Sequence, residues 1–72
     1  MAEPQEFWDD MRWGEEYYLE LQKQYKNKWV AIAGRKVVSH GENLKEVEDK
    51  AKRITKKAYI PIIFIESGAA FY

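Results

Sequence analysis

Seventy-two residues with no cysteine, one histidine, and 12 basic side chains balanced by 12 acidic ones set narrow bounds on this protein. A chain of this length buries only roughly 60% of the surface its unfolded form exposes, so its core is marginal and leans on packing or association where disulfides and metals are missing. Without a thiol there is no disulfide, one histidine leaves no ligand set for structural zinc, and zero net charge argues against nucleic-acid binding by bulk charge.

The first element is expected to be a helix over residues 4–26. Phe7, Met11, Tyr18, Leu21 and Tyr25 recur at helical spacing, and a second stripe, Trp13, Tyr17 and Leu21, runs beside them. Trp8 falls on the flank of the main stripe, so the apolar surface is broad. Pro4 suits a first turn, and the acids after it complement the positive helix end. Gly14 costs about 1 kcal/mol against alanine in a helix and marks a place for a kink or break. Asn27 ends the helix, since asparagine tolerates the left-handed conformation. Residues 1–22 hold seven acids and one base, whereas the rest holds eleven bases and five acids. An acidic helix thus joins a basic remainder, and the simplest expectation is that the two parts pack with complementary potentials.

Residues 28–34 read as a strand covered on both faces, because Trp29 to Ala33 are apolar without alternation. Gly34-Arg35 supplies a hairpin turn, with glycine first as a type II′ turn prefers. The chain returns as a second strand over 36–39, more polar and expected at an edge. His40, Gly41 and Glu42 form a loop into the second helix, residues 43–57. Asn43 stands at the N-cap with Glu46 three residues on, and Leu44, Val47, Ala51, Ile54 and Ala58 form one stripe for packing on a sheet. The last strand spans residues 59–66, with Pro61 near its start, and an apolar tail follows over 67–72. These elements give one α+β domain, an N-terminal helix followed by β-β-α-β. We expect a three-stranded mixed sheet of order 2-1-3, with the apolar first strand in the centre and the third parallel to the second.

No stretch approaches the roughly 20 apolar residues of a membrane span, and the acidic N-terminus is unlike an export signal. The expected compartment is the cytoplasm.

Lys28-Trp29-Val30-Ala31, Gly34, Val37-Val38, Gly41, Leu44, Glu46-Val47 and Ala51 together resemble a family of short prokaryotic proteins of unknown function, many of them archaeal. The resemblance spans about residues 15–66. It implies a fold and a prokaryotic origin, and it brings no active site. A looser likeness links the second helix to small antitoxin domains of RNA-targeting toxin pairs. Here the first strand of those domains and their Pro-Gly-Cys-type turn are missing.

Candidate chemistry is sparse. Ser39 beside His40 suggests a nucleophile and base, but no Gly-x-Ser-x-Gly elbow accompanies them. Glu6, Asp9 and Asp10 lie within one or two helical turns and invite a hard cation, although carboxylates at a helix start are ordinary dipole partners. Gly34-Arg35-Lys36 is too short for a phosphate loop. Lys50, Arg53 and Lys57 make one basic stripe open to phosphates, interspersed with Glu46, Glu48 and Asp49, which repel them. No cofactor or metal site is expected. The aromatic set Trp8, Trp13, Tyr17, Trp29, Phe71 and Tyr72 is the most informative, because a small sheet and two helices struggle to bury eleven aromatic residues and such side chains anchor interfaces. The reading is a non-enzymatic interaction module, homodimeric through its first helix. A regulatory or antitoxin-like partner of a neighbouring enzyme, and weak nucleic-acid binding through the second helix, are the alternatives.

Overall fold

The computed structural model describes residues 3–67. Its elements run α1 (Gln5–Glu16), α2 (Tyr18–Gln24), β1 (Lys28–Ile32), β2 (Val37–Gly41), α3 (Leu44–Thr55) and β3 (Ile62–Ile65). The fold is α+β, and the strands lie in the expected order β2-β1-β3. β1 pairs antiparallel with both neighbours, so the sheet is antiparallel and not mixed. The reason is geometric: with β1 in the middle, a third strand parallel to β2 must run against β1, and no parallel pair forms.

The first helix is divided, but not at Gly14. The axis bends at Tyr17, whose φ of −103° and ψ of 18° are not helical. The Tyr17 N–H still donates to Trp13 O at 3.0 Å, and the Leu21 N–H to Tyr17 O at 2.9 Å, so helical hydrogen bonds continue on both sides. Gly14 is buried within α1, where a Cβ would lie 2.6 Å from Ile32 Cδ1 and 3.3 Å from Ile63 Cδ1. Its missing side chain lets the helix settle onto the sheet, which offsets the poor helix propensity of glycine. α2 stops at Gln24, and Asn27 takes a left-handed φ of 59° as its side chain allows.

Between β1 and β2 both central turn residues are left-handed, Gly34 at φ 63° and Arg35 at φ 60°. That is the type I′ pattern, not the expected type II′, and its twist matches the strands it joins. β1 ends at Ile32, earlier than expected, while β2 continues to Gly41, so His40 belongs to a strand and not to a loop. A bulge between Ala31 and Ile32 leaves Val38 as the extra residue on β2.

The two sheet faces carry separate cores. On one, Val47 and Ala51 of α3 meet Ala31 and Ile60, flanked by Trp29, Val38 and Ile62. On the other, Leu21 of α2 meets Val30 and Ile65, flanked by Trp13, Tyr18, Tyr25, Val37 and Ile63. The Asn43 side chain accepts from the Glu46 N–H at 3.0 Å and starts α3. Only the middle of the expected α3 stripe is buried: Leu44 and Ile54 are exposed, and Ala58 lies beyond the helix. Pro61 is buried just ahead of β3, where its missing N–H costs no ladder bond, and its carbonyl accepts from the Ile32 N–H at 3.0 Å.

Candidate interaction surface

α1 is fixed to the rest of the molecule through the hairpin turn. Left-handed backbone at Gly34 and Arg35 points two successive amides to one side, and such a nest receives anions. Asp10 fills it: Oδ2 accepts from the Gly34 N–H at 3.2 Å and Oδ1 from the Arg35 N–H at 3.0 Å. The carboxylate belongs to a residue only 5% exposed, so the turn amides are its solvent. Nothing in the local sequence marks Asp10 apart from Asp9; the helical period, which turns position 10 toward Gly14, is the one signal that separates them.

The other carboxylates of that segment go elsewhere. Asp9 accepts from Gln5 Nε2 at 3.1 Å, and Glu6 pairs with Lys57 at 3.7 Å. Among the described residues no three His, Cys, Asp or Glu side chains converge as a metal site. Around the turn lies a cleft of about 250 Å³ lined by Glu6, Asp9, Asp10, Gly34, Arg35 and Lys57. A neighbouring cleft of about 410 Å³ is lined by Asp9, Arg12, Trp13, Glu16, Tyr17 and Arg35. Each lining holds charge of both signs.

Ser39 and His40 are adjacent in sequence and face opposite ways. The buried Ser39 hydroxyl donates to Val47 O at 2.8 Å, anchoring α3 to β2. The His40 ring lies 4.8 Å from that of Tyr25, on the α2 side. Lys50 and Arg53 are exposed on α3, whereas Lys57 is half-buried and engaged with Glu6.

The aromatic candidates do not form one patch. Trp8 is exposed and stands edge-on to Phe7 at 5.0 Å. Trp13 is half-buried against the α2-side core, and its ring lies 5.1 Å from that of the exposed Tyr17. Trp29 is on the opposite sheet face, beside α3. Phe71 and Tyr72, with the rest of the 68–72 tail, lie outside the described residues. Two further surface features escaped the sequence reading. Leu19, next to the bend, is 72% exposed, and Phe64 is exposed where β3 pairs with Trp29, the two rings 5.1 Å apart. Leu19 lies off the helical stripe and Phe64 sits in an unbroken apolar run, so periodicity alone sees neither.

β3 is an edge strand, and α2 guards its outer backbone. The Tyr18 hydroxyl donates to Phe64 O at 3.4 Å and accepts from the Glu66 N–H at 3.0 Å, while Gln22 Nε2 donates to Glu66 O at 3.1 Å. Covering an edge in this way discourages pairing with a second strand.

Among the described residues no helix is long and apolar enough to cross a membrane. No curated protein and no solved structure matches the chain. Residues 20–67 match a family described as a family of unknown function, DUF5678. The match begins inside α2, takes in the whole sheet with α3, and leaves α1 outside it. The chain belongs to that family.

Proposed function

We propose that this member of a family of unknown function is a non-enzymatic protein-interaction module whose N-terminal helical segment is the contact element and whose first partner is a second copy of itself. The observation that carries the reading is that large apolar side chains are left outside both cores on α1, the bend and α2: Trp8, Tyr17 and Leu19. Such side chains are common interface anchors, and zero net charge removes the long-range repulsion between copies. Light scattering at micromolar concentration tests it, with a dimer as the expected result and a monomer as the result that sinks it. Trp8→Ala combined with Tyr17→Ala should weaken association while changing folding stability by only about 0.5 kcal/mol, as exposed positions do.

A second reading is a regulatory partner of an enzyme encoded nearby. It is favoured by a second exposed apolar set, Tyr59 and Phe64, within the segment matched by the family. Co-purification with the product of a neighbouring gene tests it. Phe64→Ala should abolish that binding and Trp8→Ala should leave it intact.

A further inference from the structure

Three attachments hold α1 on the sheet: the Asp10 carboxylate on the Gly34 and Arg35 amides, Gly14 against Ile32 and Ile63, and Glu6 with Lys57. All join it to residues remote in the chain. Between α1 and α2 stands a single exposed non-helical residue, Tyr17, flanked by intact helical hydrogen bonds. Moving Tyr17 to ordinary helical φ and ψ would fuse α1 and α2 into one helix about 30 Å long that projects α1 away from its own sheet.

We propose that α1 is exchanged between two copies of this chain: straightened at Tyr17, each α1 docks on the other sheet, with Asp10 accepting from the amides of the partner's Gly34 and the partner's Arg35. The inference rests on the self-association proposed above and names the route by which it is made. Exchange restores every α1 contact of the closed chain, so the closed and exchanged forms differ only at the hinge and in the freedom lost on association. At the hinge the exchanged form gains a contact, because Leu19, 72% exposed in the closed chain, meets its counterpart where two straightened helices come together. A second copy is the fitting occupant of the seat. It alone is certain to bring a carboxylate for the amide nest together with a glycine where Ile32 and Ile63 press closest. The exchanged segment is also the one that lies outside the family match, added to a unit that begins in α2.

The absence of cysteine makes the test direct. Glu6→Cys and Lys57→Cys are made as two separate full-length chains, each losing the Glu6–Lys57 ion pair and keeping the Asp10 and Gly14 contacts. They are mixed in equal amounts, unfolded, refolded together at micromolar concentration and treated with a short bismaleimide. With exchange, about half of the dimer pairs one chain of each kind, and that share runs as a covalent dimer on a denaturing gel. A dimer by light scattering without the 6-to-57 cross-link overturns exchange and leaves self-association standing. A monomer overturns both. The double variant Glu6→Cys with Lys57→Cys supplies the converse readout: exchange gives mainly interchain product, and mainly single-chain product refutes it.

Discussion

Asp10 holds two successive amides, and both hydrogen bonds are charge-assisted and partly buried. Asp10→Ala should cost about 1–2 kcal/mol in urea unfolding, because it removes a charged acceptor from two N–H groups that only water can then satisfy. Asp10→Asn, which keeps one acceptor oxygen, should lose less. Gly14 poses an opposite problem, since alanine there gains about 1 kcal/mol of helix propensity but overlaps Ile32 Cδ1. Ile32 is fully buried, so its side chain has little room to yield, and overpacking of this kind costs about 1–3 kcal/mol. We expect Gly14→Ala to be destabilising by about 1 kcal/mol, and Ile32→Val, which removes Cδ1, to recover part of that loss in the double variant. The sequence exhibits both residues and the role of neither. Gly14 reads as a weak point in a helix until the neighbouring isoleucine is known, and Asp10 reads as one of several acids until the turn it binds is known.

The hairpin shows how far local chemistry specifies an element. Gly34 announces a turn, and its place between two apolar runs is correct. The turn type depends on the next residue, however, and arginine gives no sign that it will adopt a positive φ. A non-glycine residue in that conformation carries about 1–2 kcal/mol of strain. Arg35→Gly should therefore raise stability by about 1 kcal/mol, with the amide–Asp10 bond retained, and thermal unfolding checks it. The start of α3 was legible because an N-cap acts within one turn, and Asn43 accepts from Glu46 as its spacing foretold. The division of the first helix was misplaced by three residues. A glycine attracts the expectation of a break, whereas the bend falls at Tyr17, where α2 must turn to lay Tyr18 and Leu21 along β3 and the α2-side core. The guard on the β3 edge is testable as well. Tyr18→Phe removes the hydroxyl that the Glu66 N–H and Phe64 O share, and should cost about 1 kcal/mol and increase light scattering on concentration.

For the molecule as a whole, the acidic and basic parts lie on opposite sides of the sheet, α1 with α2 on one and α3 on the other. Among the described residues they meet across one ion pair, Glu6 with Lys57, whose glutamate is largely exposed, so complementary charge contributes little to holding the layers together. The two cores do that work, and they are small. Leu44, Ile54, Tyr59 and Phe64 remain exposed on or beside the α3 layer, and Trp8, Tyr17 and Leu19 on the α1–α2 layer. A chain that buries its apolar side chains this incompletely has surface to offer a partner, which is why the proposed function rests on association. The exchange of α1 would join a second copy without adding a new docking geometry, since the seat already exists.

The sequence by itself determined the element types and the strand order, because they follow from patterns within single segments: helical and strand periods, an N-cap, a glycine turn, and a central strand apolar on both faces. Only the tertiary structure decided the antiparallel pairing of β3 beside β1, the place of the bend, the type of the turn, and the capture of Asp10 by the turn amides. These depend on contacts between residues remote in the chain, where the fit of one side chain against another, and not the pattern of either segment, selects the outcome.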